Sequence, residues 1–209
     1  MIRETQARDK SKIFIWNDRY LCSRSNPHKE AQQWVQERSH QVSSSQYVIV
    51  LGLACGYHII ELIKTYPNKK IIVLETQKQI VQFFKKNFPL EACRIAIELL
   101  ENEDDLLNNK EIQKALKNFF VVLSYEPSLN IFNSLKIYQS WLLGRNYNSL
   151  QWLLKLRGQS LAFNLNHLGL KDVKANNISI VELKSCLSTN VNEDKELKQK
   201  FLTLEELII

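Results

Sequence analysis

Gly52, Ala54 and Gly56 fall inside one short stretch, VIVLGLACGYH, directly after an apolar run. Small residues at that spacing let a chain turn sharply from strand into helix and let a ligand come close to its backbone. The helix that follows begins near Tyr57, where free N–H groups and the helix dipole favour an anionic group. Glu75 ends a second apolar run, IIVLE, 19 residues after Gly56. An acid at that place can accept both hydroxyls of a ribose. Glycine turn, strand and terminal acid make a nucleoside-binding constellation. Around it, Tyr57 is placed to stack on a base or sugar. His58 is placed to contact a phosphate or to act as an acid or base near neutral pH. Arg24 offers a planar fork for a phosphate or carboxylate. Glu126 follows a later strand, at the carboxyl edge where α/β ligands bind. Each residue also has a plainer reading: glycines kept for packing, Glu75 in a surface ion pair, Arg24 in solvent, Glu30 as a first-turn helix acid. His28, His40 and His167 are isolated. No GxxxxGK[ST] or GxSxG motif occurs, and no His, Cys or carboxylate cluster has metal-ligand spacing.

These residues need a scaffold, and the hydrophobic pattern supplies one. YVIVLG (47–52), KIIVLE (70–75), CRIAIEL (93–99) and FFVVLS (119–124) are short apolar runs, each separated from the next by helical spacing. Ile59, Ile63 and Tyr66 share one stripe; Ile80, Phe84 and Phe88 share another. Strand–helix alternation of this kind predicts a doubly wound, mostly parallel α/β sheet over 45–125. Before it, KIFIWNDRYLCS (12–23) reads as a hairpin around Asn17-Asp18, and residues 1–10 read as polar and loose. Asn26 caps a helix that Pro27 opens and that runs to about residue 39. After residue 124 the alternation stops. Helices are expected over 130–143, with Gly144 as a stop, and over 148–167; ISIVEL (178–183) reads as one more strand. The organisation is a Rossmann-like core at 45–125, an N-terminal hairpin and helix at 1–44, and a helical C-terminal part at 126–209 packed on the core.

Composition fits an ordinary globular chain. Of 209 residues 44% are hydrophobic and 24% charged, which excludes disordered and low-complexity classes for most of the length. No apolar run reaches the length of a membrane span, and the charged start, MIRETQARDKSK, has no apolar signal region, so a cytoplasmic place is expected. The net charge of +6 is modest and uneven: residues 136–174 carry six basic side chains and one acid, residues 101–111 five acids and one base. Trp141, Tyr147 and Trp152 lie in the basic stretch, but aromatic spacing there fits helix packing better than stacking on nucleic acid. Cys22, Cys55, Cys93 and Cys186 form no CxxC pair, and reduced, mostly buried thiols are expected.

Two resemblances follow from these residues. Leu-Ala-Cys-Gly at 53–56, with Glu75 at the end of the next strand, resembles motif I of class I S-adenosylmethionine methyltransferases over about residues 47–76. A second covers more of the chain. CSRSNPHKEAQQWV (22–35) followed by VIVLGLACGYHIIEL (48–62) is similar to the N-terminal domain of the Maf (motility-associated factor) glycosyltransferases. Ser23, Arg24, Asn26, Pro27, Glu30 and Ala31 carry its first part; Gly52, Gly56, Tyr57 and His58 carry the second, with Ala54 where that family has glycine. VVLSYEPSL (121–129) and NLNHL (164–168) are more loosely similar. That family is linked to transfer of nonulosonic sugars onto flagellin Ser or Thr, with the chemistry associated with a central domain outside this region. The second resemblance implies a nucleotide- or nucleotide-sugar-binding module, with a protein acceptor served by the whole. In that reading Gly52–Tyr57 cradles the ligand, Glu75 holds a ribose and Arg24 closes over the site. The first implies methyl transfer from S-adenosylmethionine. A third reading is a non-catalytic scaffold, its turn blocked by side chains with Ala54 and Cys55 filling the ligand's space.

Overall fold

In a computed structural model, residues 2–145 and 147–158 are described. The chain divides into two compact units, 1–138 and 139–209. The first opens with β1 (Ile2–Gln6), β2 (Lys12–Trp16) and β3 (Arg19–Tyr20), an antiparallel sheet in the order β1-β2-β3. The expected turn at Asn17-Asp18 is present, with φ of 44° and 62° at the two residues. Paired positive φ values are those of the tight hairpin turn whose twist matches its strands. Residues 2–6 are not loose: they pair with β2 from Ile2↔Trp16 to Gln6↔Lys12. Alternation in IRETQ is too polar to stand out in the sequence, and the partner strand supplies the apolar half of the pair.

Next come α1 (Pro27–Glu37) and α2 (Ser39–Ser43). Asn26 caps α1, its side chain accepting from the Lys29 N–H at 2.7 Å. The core sheet is built from β4 (Tyr47–Leu51), β5 (Lys70–Glu75), β6 (Ala96–Leu99) and β7 (Phe120–Ser124). All its pairings are parallel, in the order β6-β5-β4-β7. The first unit is therefore an α/β, Rossmann-like fold with an antiparallel N-terminal sheet. Every residue of β4 is buried, as its unbroken apolar run requires of a central parallel strand.

Between the strands lie α3 (Tyr57–Thr65), α4 (Lys78–Asn87) with the short α5 (Pro89–Ala92), and α6 (Glu103–Asn108) followed by α7 (Lys110–Leu116). Asn102 and Asp105 close a capping box on α6, and Asn109 caps α7. From β4 the chain steps outward to β5 and β6, then crosses back to β7. That reversal puts a topological switch point at the carboxyl ends of β4 and β7. After β7 come α8 (Glu126–Leu129) and α9 (Asn133–Leu142). In the second unit α10 (Tyr147–Leu156) is described, and the Trp141 and Trp152 rings meet edge-on at 6.0 Å. The expected helix beyond residue 158, the strand ISIVEL, His167 and Cys186 lie outside the described residues. Among the described residues no helix is long and apolar enough to cross a membrane.

Candidate functional site

The glycine turn sits at the carboxyl end of β4, beside the switch point. Gly52 and Gly56 take φ values of 95° and 86°, and Ala54, at 47°, shares the left-handed region. Glycine reaches this region freely, whereas Ala54 bears a cost there. The Gly52 N–H donates to Leu74 O at 2.9 Å and the Gly56 N–H to Leu53 O at 2.8 Å, so the turn is tied both to β5 and to itself.

What approaches these glycines is the protein itself. A methyl group added at Gly52 would stand 2.3 Å from Ser128 Cβ and 2.6 Å from Ser128 Oγ. At Gly56 it would stand 2.2 Å from Phe84 Cδ2. Ser128 comes from α8 and Phe84 from α4, and both are fully buried. Leu53, Ala54 and Cys55 are buried as well. From a third side the N-terminal sheet crosses the turn. Cys55 Sγ lies 4.0 Å from Phe14 O, and the Tyr57 hydroxyl donates to Lys12 O at 2.7 Å. Along β2, the Phe14 ring meets Phe83 edge-on at 4.4 Å and the Trp16 ring meets Phe132 at 5.1 Å. The strand thus spans from α4 to the segment after α8.

Glu75 is used inside the turn. One carboxylate oxygen accepts from the Leu53 N–H at 2.9 Å; the other accepts from Thr76 at 2.7 Å and Gln77 at 3.1 Å. Burial pushes its carboxyl above the ordinary value, and these backbone amides, with that of Ala54, pull the other way. Glu75, expected as a ribose acceptor, accepts from the turn's own N–H groups.

His58 is also internal. Its Nε2 lies 3.0 Å from Gly52 O, and since a carbonyl only accepts, Nε2 carries the proton and donates. Burial holds the ring down to about 3, with the Arg38 charge a smaller contributor in the same direction and the Gly52 bond opposing. Burial thus favours the uncharged ring, with its Nε2–H given to Gly52 O. It stacks on Tyr125 at 3.8 Å, with Trp34 edge-on to it at 5.1 Å. Tyr57 is buried edge-on between His28, at 4.7 Å, and Phe88, at 5.6 Å, and burial pushes its hydroxyl to about 12.

No family model and no curated protein matches this chain.

The two stretches that carry the longer resemblance meet in space. α1 packs on α3, His28 touches Tyr57, and Trp34 touches His58. The neighbouring Cys55 thiol and burial together push Cys22 far above its ordinary value. Glu30 turns back on its own segment, accepting from the Ser23 N–H at 2.7 Å. Burial raises the Tyr125 hydroxyl, and the Glu30 charge adds to the shift. Arg24 is exposed, with its guanidinium 4.8 Å from the Tyr20 ring. Glu126 is exposed at the carboxyl edge and pairs with Arg38 at 3.1 Å. Arg38 in turn donates to Trp34 O and lies over the Trp34 ring at 4.5 Å. The Trp34 indole donates to Ser124 O at 3.3 Å, and Tyr125 N–H to Leu51 O at 3.1 Å. Sequence reasoning missed Ser128, Phe84, Trp34 and Arg38 as residues of this corner. Phe84 and Trp34 were legible as apolar helix positions, but not what they cover. Ser128 lies in VVLSYEPSL, a stretch of the looser resemblance, but nothing there marks its burial against Gly52. Among the described residues no group of three His, Cys, Asp or Glu side chains could hold a metal ion.

Proposed function

We propose that the first unit works as a closed Rossmann-like scaffold. This is the part an N-terminal module of the Maf type would play beside transferase chemistry housed in another domain. One observation carries the reading: the chain's own Ser128 and Phe84 stand where a ligand would touch Gly52 and Gly56. Glycines explained by internal packing no longer argue for a ligand. Glu75 adds to this, because its oxygens are taken by the turn amides. Motif order at 22–31 and 52–58 fits the same role, since both stretches meet in one packed corner.

A second reading is favoured by a single atom. The Ser128 hydroxyl is buried against Gly52 without a hydrogen-bond partner. On that reading the corner opens to take a nucleotide or nucleotide sugar.

Thermal denaturation of the full chain decides between them. S-adenosylmethionine, S-adenosylhomocysteine, CMP and a CMP-linked nonulosonic acid are added one at a time. A ligand at 100 times its dissociation constant adds about 2.7 kcal/mol, which at this size is roughly 5–11 °C. The scaffold predicts no shift with any of the four. A shift with the CMP compounds would replace it with the nucleotide-sugar reading, and a shift with S-adenosylmethionine with methyl transfer.

A further inference from the structure

Ser128 Oγ is the buried side-chain polar atom left without a partner among the described residues. An unmade hydrogen bond inside a protein is costly and calls for a physical reason. The reason lies in where it sits. Ser128 belongs to α8, a single turn of four residues that follows β7 and lies against Gly52 at the carboxyl end of β4. Its side chain rests on Gly52, within the separation at which even a methyl group there would collide. The segment before α8 is firmly held: Tyr125 is bonded to Leu51 and stacked on His58, and Ser124 accepts from Trp34. α8 itself is held by burial of Ser128 and Leu129 rather than by hydrogen bonds to the sheet. The N–H groups of Ser128 and Leu129 donate to Tyr125 O, and those of Asn130 and Phe132, just past α8, donate back to Glu126 O and Ser128 O. The outer end of α8 has the Glu126–Arg38 pair, and Glu126 is exposed.

We propose that α8 is a displaceable plug at the switch point. Seated, it leaves the Ser128 hydroxyl unsatisfied; lifted, it frees that hydroxyl to bond water or a nucleotide-class ligand over Gly52. The hinge is the step from Tyr125, held by Leu51 and His58, to Glu126, held through its exposed pair with Arg38. The plug stands on the orphaned hydroxyl alone. Its ligand rests on the second reading above.

Amide hydrogen exchange on the full chain tests it, with Ser128→Ala as the variant. Alanine keeps the packing and removes the unsatisfied atom, so the seated form gains. Exchange at Leu129–Phe132 slows by roughly tenfold, the order set by the cost of a buried unpaired hydroxyl, while β4 amides are unchanged relative to global unfolding. If Ser128→Ala exchanges at the wild-type rate or faster, the hydroxyl has a partner in solution and the plug is overturned, whatever any ligand does. CMP and S-adenosylhomocysteine are then added to the wild type. Altered exchange at Leu129–Phe132 with either probe supports the ligand. A slowed Ser128→Ala with no response to either probe keeps the plug and overturns its nucleotide occupant.

Discussion

Gly52 and Gly56 are four residues apart in one turn, and they are closed in unlike ways. Gly56 is covered by an aromatic ring from α4, a ten-residue helix with four buried side chains. Gly52 is covered by a hydroxyl from α8, a single helical turn, and that hydroxyl has no partner. The first contact is core packing: it removes apolar surface from water and leaves nothing unsatisfied. The second buries a polar atom at a loss. The same glycine pattern therefore has two physical causes within one turn. One face of the turn is a joint in the scaffold, and the other is closed by a buried hydroxyl without a partner.

The sharpest way to break this comparison is to add a methyl group on each side. Gly56→Ala meets both the Phe84 ring and a φ of 86°. It should destabilise by about 3–5 kcal/mol, as overpacking and left-handed strain combine, measured by urea denaturation. Phe84→Ala in the same chain should not rescue it, because that ring is itself core. Gly52→Ala should cost a similar amount alone. Combined with Ser128→Gly it should recover all but the strain of its φ of 95°, about 1–2 kcal/mol. Equal rescue on both sides would erase the difference between the two covers.

Glu75→Ala comes next. It removes the acceptor for the N–H groups of Leu53, Thr76 and Gln77 in a buried corner. At about 1–3 kcal/mol for each buried donor left unpaired, with some relieved by water, the loss should be about 3–4 kcal/mol. Glu75→Gln should cost less, since the amide oxygen keeps one set of donors while its NH2 faces the other. A Glu75→Ala chain as stable as the wild type would mean the turn holds without its acid, and Glu75 would again be free to serve a ligand.

Acid tests the side of the turn that His58 holds. Its folded pKa, about 3, lies below the unfolded value. Between the two, the unfolded chain binds a proton that the native chain does not, so stability rises with pH. The contribution is full above about 6.5 and is lost as pH falls toward 3, amounting to about 2 kcal/mol by pH 5. Glu75, raised by burial, works the opposite way: its contribution is full below the unfolded carboxyl value and is lost as pH rises through the folded one. Comparing the wild type with His58→Phe separates them, because only the histidine's slope between pH 5 and 7 disappears. An unchanged slope would show that His58 binds its proton equally in the folded and the unfolded chain.

The difference between the two covers also marks what a sequence can express. The four core strands, the Asn26–Pro27 helix start and the Asn17-Asp18 turn were legible because each rests on a local rule: an apolar run, a cap, a pair of residues that tolerate positive φ. β1 was not, because IRETQ gains its order only by pairing with β2. The turn itself was legible, and so was the placement of Glu75 at a strand end. Their use was not. Whether a glycine admits a ligand or a neighbouring side chain depends on what the tertiary fold brings to it, and Ser128 arrives from 76 positions away. His58 shows the same limit: nothing in CGYHII says that the ring will be buried beneath Tyr125 and donate backward to Gly52.

The smallest expected effect is also the most local. Glu126→Gln removes the charge that pairs with Arg38 across 3.1 Å, with the Glu126 side chain 58% exposed. An exposed pair of this kind contributes about 0.2–1 kcal/mol, so global stability should barely change. Its effect should fall on α8, the element whose outer end it holds. Exchange at Leu129–Phe132 should quicken by no more than about fivefold, the equivalent of 1 kcal/mol, and high salt should erase the difference between variant and wild type. Amides of α4, which carries the Phe84 cover, should not respond. If α4 loosens in step with α8, the two covers open as one unit, and the turn is a single cooperative corner rather than a firm joint beside a weak one.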